Sequence, residues 1–270
     1  MADIGVVATD ERMRELSKRL DNVYTEAYNT AIENNQKAIN NLAKLKDEIY
    51  TASKYSHLTQ DQKDKKLEAF AREITRTEKV AENIAQELNR AGEIATDIIQ
   101  GEMYGIYGLN YDFTTYSVSR QAGVAFNFTQ YDRNQLAVLS QKGQSPFTKI
   151  AYNNMGSNPN IVRKLQAAFV VGTINGESKR ELTRHVQAIT GQKKWQAKRV
   201  AQTERTRVQT EARMLGIREA EEMGIPMQKQ WVARIINTRE SHLNVNGEIQ
   251  EANDRFSNGL ACPGDPSGPP

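Results

Sequence analysis

Between Leu67 and Ile98 the apolar and small residues recur at alternating steps of 3 and 4: Leu67, Phe70, Ile74, Thr77, Ala81, Ile84, Leu88, Ala91, Ala95 and Ile98. Only an α-helix brings such positions onto one face, and that alternation is the seam along which helices pack. The charged residues Glu68, Arg72, Glu73, Lys79, Glu82 and Glu87 fall off the seam, where water reaches them. Thr59 with Gln62 provides a capping-box start, and the Gly101 to Gly108 stretch provides a stop. Upstream, Met13, Leu16, Leu20, Val23 and Ala27 form one seam, and Ala38, Leu42, Leu45, Ile49 and Ala52 another. Asn29, Asn34, Asn35, Asn40 and Asn41 are poor helix formers and mark a break near 29–35. The spacing predicts two long helices folding back near residues 53–58, a coiled-coil-like hairpin over 1–105. Such a hairpin either satisfies itself or serves as a docking arm. The alanines and threonine of its second seam bury little area and leave room for a third helix.

The rest of the composition narrows the class of function. Hydrophobic residues make up 38% of the 270 and charged residues 26%, a balance suited to long, partly exposed helices. A net charge of +3 excludes a polycation, so any affinity for nucleic acid has to come from a local patch. Cys262 is the single cysteine, which excludes an internal disulfide and a multi-cysteine zinc site within one chain. No stretch approaches the roughly 20 apolar residues of a membrane span, and the N-terminus lacks an apolar run of signal-peptide length. The expectation is a soluble protein made in the cytoplasm.

From 106 to 190 the pattern is mixed but mainly helical, a connecting region. Tyr104, Tyr107, Tyr111, Phe113, Tyr116, Phe126, Phe128 and Tyr131 cluster, with only Arg120, Arg133 and Lys142 as basic company. Base stacking needs more cations than that, so these aromatics read as pins holding a helical arm to the next domain. Turns are expected at Gly143–Pro146, Asn158-Pro159 and Gly172–Gly176. Ser178 with Glu181 caps the next helix. His185 has no histidine or cysteine at ligand spacing and reads as a surface or interface residue.

Lys193 to Glu222 reads as one long helix ended by Gly224 and Pro226, and it carries the densest basic run of the chain. Lys193, Lys194, Lys198, Arg199, Arg205 and Arg207 are candidates for DNA contact through phosphates; the other reading is a solvated helix face. Beyond Pro226, Lys229, Trp231, Ala233, Ile235 and Asn237 alternate with Gln230, Val232, Arg234 and Ile236. Being apolar on both faces, the run predicts a buried strand, followed by turns at Asn246-Gly247 and Asn258-Gly259. The fold class is therefore mainly α, with a small α+β C-terminal domain over 191–270.

That last segment resembles the Mu F-like minor head proteins of tailed phages. Ala201, Thr203, Glu204 and Arg207 match the family's Ala-x-Thr-Glu-x-x-Arg helix, and Trp231 its Trp-containing strand. Arg239, Ser241 and His242 match Arg-x-Ser-His, with Gly247 five positions on and Phe256 after it. Pro263, Gly264, Asp265 and Pro266 open the closing Pro-Gly-Asp-Pro-Ser-Gly-Pro segment. The Ile-Asn-Gly-Glu-Ser element at 174–178 also resembles the family's upstream region. Ile235, Ile236 and Asn237 stand where family members usually carry acids, Asn246 stands where an Asp is common, and the family's Asn-Cys-Arg-Cys ending would lie beyond Pro270. The resemblance thus implies a domain lacking its usual C-terminal end.

What the resemblance implies is a binding role. Such proteins lie inside the capsid of the virion after synthesis in the bacterial cytoplasm. They associate with the portal protein and other capsid or scaffold components and lie close to double-stranded DNA. No cofactor, metal or catalytic residue is expected. Thr203, Glu204 and Arg207 share a helix face, where Glu204 and Arg207 can pair or clamp the following strand. Two rival readings are a DNA-binding protein without capsid attachment and a Cys/His hydrolase using Cys262, His242 and Glu204.

Overall fold

The computed structural model describes residues 4–158, 160–233 and 238–265. Among them the chain forms α1 (Ile4–Asn34), α2 (Gln36–Thr51), a short 3-10 turn (Ser53–Tyr55), α3 (Gln60–Thr77) and α4 (Val80–Ala122). Then come α5 (Arg133–Gln141), α6 (Pro146–Gly156), α7 (Asn160–Asn175), α8 (Lys179–Glu222), β1 (Gln228–Gln230), α9 (Glu240–Leu243) and β2 (Ile249–Glu251). The expected mainly α chain with long N-terminal helices and a small C-terminal sheet is what forms. The chain divides into two compact units. Of the described residues, one comprises those up to Ser17, Asp97–Ala151 and those from Arg199; the other comprises those of Lys18–Thr96 and Tyr152–Lys198. Neither residue 105 nor residue 190 is an element boundary, because α4 and α8 run through them.

In the Lys18–Thr96/Tyr152–Lys198 unit the fold-back occurs where the spacing puts it, between Thr51 and Gln60. The Thr59–Gln62 capping box is formed in both directions. Asn35 interrupts the first arm, as its poor helix propensity suggests, and its amide donates to Ala31 O at 2.8 Å. The second arm is not one helix. It breaks between Thr77 and Val80, with Lys79 at φ +49. The break follows a β-branched run in which the Thr75 and Thr77 hydroxyls bond back to Ala71 O and Glu73 O, a competition that weakens the helix. The buried stripe shifts accordingly. On α3 it is Leu67, Ala71 and Thr75, while Phe70 and Ile74 are half-buried and Thr77 is exposed. On α4 it resumes at Val80, Ala81, Ile84, Leu88, Ala91 and Ala95, and then takes Ile99 in place of Ile98. A third helix does fill the space: α7 packs against both α2 and α3.

In the other unit, the glycines at 101, 105 and 108 do not stop α4, which runs on to Ala122. A glycine costs a helix only about 1 kcal/mol relative to alanine, and Gly105 and Gly108 sit against Arg12 and Leu136 side chains that a Cβ would meet at 2.7 and 3.1 Å. The tyrosines therefore lie on a helix. Tyr107 and Tyr111 are buried, and the Tyr111 and Tyr131 hydroxyls donate to the two oxygens of Glu219 at 2.6 and 3.0 Å. Tyr111 and Tyr131 also meet edge to face at 5.3 Å. These aromatics pin α4 and the loop before α5 to α8. Tyr116 is exposed.

After α8 the chain makes a compact C-terminal module. β1 and β2 pair antiparallel, Lys229 facing Gln250, and the connection between them carries α9. The predicted strand is shorter than its alternation suggests, and Val232 is 76% exposed, so burial on both faces is not found. Ile235, Ile236, Asn237 and Arg234 of that run lie outside the described residues, as do Pro159 and Pro266. Trp231, Val245 and Phe256 form the module's core, with Ala233 and Leu260 against it.

Candidate functional site

Residues 193–220 of α8 explain how the matched motifs come together. Lys193, Ala197, Ala201, Arg205, Val208, Ala212, Gly216 and Ala220 recur at steps of 4, 4, 4, 3, 4, 4 and 4, and all are buried. The stripe consists mostly of small residues, which lets neighbouring segments approach the helix backbone. Any charged residue on or beside it must find an internal partner.

Arg207 is the clearest case. Its side chain is 5% exposed and that of Glu204 is 1% exposed. Nε donates to both oxygens of Glu204 at 3.1 and 3.3 Å, and Nη2 donates to Glu204 Oε2 at 2.9 Å. Nη1 donates to Lys142 O at 2.8 Å and to Glu211 Oε2 at 3.3 Å, and Nη2 also reaches Ser140 O. Gln144 Nε2 adds a bond to Glu204 Oε2 at 3.2 Å. The guanidinium fork thus ties one turn of α8 to the loop after α5. Burial pushes the Glu211 carboxyl above the usual range, with Arg207 opposing. Thr203 does not share this face: it is exposed, and its hydroxyl bonds back to Arg199 O at 3.1 Å. Ala201 is buried on the stripe.

The closing motif returns to the same turn. Gly264 sits at φ +79, where a Cβ would lie 3.1 Å from the N and Cα of Arg207. Only glycine allows that backbone both its left-handed conformation and so close an approach. Asp265 holds the turn: its Oδ2 accepts from Ala261 N at 2.9 Å and from Arg255 Nη1 at 3.4 Å, and Asp265 N donates to Cys262 O at 3.2 Å. Pro263 is half-buried beside it.

The remaining motif residues build the module. Trp231 stands edge to face with Phe256 at 5.0 Å and with His242 at 5.3 Å. Trp231 N donates to Glu248 O, and Gly247 N donates back to Trp231 O, with Gly247 at φ +86 in the expected turn. Arg239 is the N-cap residue of α9, and Ser241 O accepts from Asn258 Nδ2 at 3.3 Å. Burial and the Arg239 charge hold the His242 imidazole below its ordinary range. Sequence reasoning missed Ser140, Lys142, Gln144 and Glu211, the partners of Arg207 and Glu204; only the loop's folding back onto α8 reveals them.

Three of the six candidates for DNA contact are withdrawn from solvent, because they belong to the inward face. Lys193 is 4% exposed and donates to Met155 O and Asn89 Oδ1 at 2.8 Å and to Leu88 O at 3.4 Å. Arg205 is buried and pairs with Asp10, and Arg207 is occupied as described. Lys194 and Lys198 share Asp21 at 3.3 and 2.8 Å, and Arg199 is exposed. The Cys/His arrangement also lacks its chemistry. Burial and the neighbouring Asp265 push the Cys262 thiol up to about 11, Glu204 is committed to Arg207, and His242 packs on Trp231. A thiol so raised is a poor nucleophile. Among the described residues no group of three or more His, Cys, Asp or Glu could hold a metal ion, and no helix is long and apolar enough to cross a membrane. His185 pairs with Glu177 at 2.8 Å.

Burial pulls the Lys193 ammonium down to about 8, opposed by Glu93. The folded-state value lies below the ordinary 10.5, so the unfolded chain holds more protons between the two. Stability contributed by this group therefore rises as pH climbs from about 8 towards 10.5, by up to roughly 3 kcal/mol. Urea midpoints measured across that range should climb in the native protein relative to Lys193→Met. Parallel curves for the two proteins would refute the assignment.

Residues 163–267 match the family model described as "Phage Mu protein F like protein". Over 90 residues the chain is 32% identical to a protein of Enterococcus faecalis named NAD(+)--arginine ADP-ribosyltransferase EFV. That match covers 33% of this chain and 18% of the enterococcal protein. No solved structure matches.

Proposed function

We propose that this chain, whose residues 163–267 match the Phage Mu protein F like family, is a head-morphogenesis protein that docks on the portal inside the procapsid and lies close to the packaged DNA. It works by binding. One observation supports this above the others: the family's motifs converge on a single buried turn of α8. Glu204 and Arg207 lock the loop after α5, and Gly264 lays the closing segment on the Arg207 backbone. Such convergence builds a rigid platform. The buried motif charges are spent on each other, as a scaffold requires and as an acid–base centre does not. The transferase activity in the enterococcal protein's name is not carried over, because the match spans less than a fifth of that protein.

Co-sedimentation of the full chain with its cognate portal ring tests the partner. Co-migration at physiological salt is the expected result. Absence from the portal fractions, with portal in excess and at low salt, would overturn portal docking and leave the reading of a DNA-binding protein without capsid attachment.

A further inference from the structure

The turn between α2 and α3 carries a cluster that the portal reading does not use. The Lys63 and Lys46 ammonium groups stand 5.6 and 6.0 Å from the ring centroid of Tyr50. Lys54 lies 4.8 Å from the ring of Tyr55, and Lys66 lies 5.2 Å from Tyr55 and 5.0 Å from Phe70. Among the described residues none of these four lysines makes an ion pair. The acids closest in sequence make no ion pair with the four: Asp61 holds Lys65 at 2.7 Å, Asp64 accepts from the Tyr50 hydroxyl, and Asp47 and Glu48 are exposed on α2. The basic helix α8 does the opposite, spending its cations on Asp10, Asp21, Glu204 and Glu211.

We infer that this tip, and not the basic run of α8, binds nucleic acid, by gripping the phosphates of duplex DNA without reading its sequence. The chemistry of the cluster selects that partner. Ring faces attract ammonium groups without supplying a counter-charge, and lysine meets phosphate as a point charge needing no particular geometry. Rings covered by lysines are poorly placed for bases to stack on, which favours a duplex backbone over a splayed single strand. A membrane surface fits less well: among the described residues, no exposed large hydrophobic side chain lies between 46 and 70 to enter the lipid. A protein partner fits less well too, since protein interfaces are depleted in lysine. This inference stands independently of portal docking.

The test is fluorescence anisotropy of a short labelled duplex titrated with the full chain. Four neutralised phosphates give a salt slope near −3.6, so affinity should fall roughly a hundredfold between about 50 and 200 mM salt. The variant Lys46→Gln/Lys54→Gln/Lys63→Gln/Lys66→Gln should lose at least about tenfold and flatten the slope, and the same four positions changed to arginine should retain binding. A control removing the same charge elsewhere, Arg133→Gln/Lys149→Gln/Lys179→Gln/Arg180→Gln, should bind within about twofold of the native chain. Circular dichroism establishes that each variant is folded, and portal co-sedimentation of the tip variant should be unchanged. Equal loss from the control, loss from Lys194→Gln/Lys198→Gln/Arg199→Gln in place of the tip, or capture by anionic phospholipid vesicles without duplex binding would each overturn the proposal.

Discussion

Gly92→Ala is expected to leave the Lys18–Thr96/Tyr152–Lys198 unit unable to hold its native packing. A Cβ at this buried position would lie 1.7 Å from Met155 O and 2.4 Å from Met155 C. Those are backbone atoms, so no side-chain rotation relieves the overlap and one segment has to move. The movement also disturbs Lys193, whose ammonium donates to that same Met155 carbonyl at 2.8 Å. Overpacking in a core ordinarily costs about 1–3 kcal/mol, and a backbone collision should cost about 3 kcal/mol or more. In a urea or thermal melt the variant should unfold much earlier or accumulate poorly. Gly101→Ala, in the same helix but with nothing within 4 Å of the added Cβ, is the control. It should be neutral or gain up to about 1 kcal/mol from helix propensity. Equal stability of the two variants would show that α4 and Met155 do not approach this closely.

How much of this was legible in the sequence depends on whether the determining partner was local. The capping boxes at Thr59–Gln62 and Ser178–Glu181 are local, and both form. The turns at Gly247 and Gly259 are local and adopt positive φ; of the turn expected over Gly172–Gly176 only Gly176 does so, because Gly172 is buried inside α7. The seam from Leu67 to Ile98 was half right. Its periodicity identified helices, but a single ladder of 3s and 4s cannot reveal that Lys79 turns left-handed, and the register of the buried stripe changes there. The glycines from 101 to 108 were misread for the same reason: whether a glycine ends a helix or lets a neighbour close depends on what packs there.

Three of the six candidates for DNA contact on α8 are withdrawn from solvent for a reason the pattern already carried. Counting charges along α8 ignores the face each one occupies, and the alanines and glycine at 197, 201, 212, 216 and 220 already mark an inward stripe. Extending that stripe backwards by four residues lands on Lys193, and Arg205 falls on it in the middle. Arg207 lies beside it, and its carbonyl partners at 140 and 142 are over sixty residues away in sequence, beyond the reach of any local pattern. Aromatic–lysine pairing at the α2–α3 tip was partly local, with Lys46 four residues before Tyr50 and Lys66 four before Phe70; Lys63 meets Tyr50 and Lys66 meets Tyr55 only after the chain reverses.

The second large effect concerns the motif itself. Arg207→Ala should cost about 3–5 kcal/mol, because it leaves the 1%-exposed Glu204 carboxylate without its cation and Ser140 O and Lys142 O without a donor. Arg207→Lys should recover little of this, since one ammonium cannot reproduce a fork spread over Glu204, Glu211 and two carbonyls. The informative variant is the double replacement Glu204→Leu/Arg207→Met, which removes both charges while keeping volume. Buried pairs exchanged for apolar residues in this way are often close to neutral, so the double variant should melt nearer to the native chain than either single change. Its portal co-sedimentation then separates two meanings of the motif. If the pair only locks the loop after α5 to α8, the double variant still binds the portal. Loss of portal binding in a variant that keeps its melting temperature would show that the charges meet the partner directly, and the platform reading of the motif would be wrong.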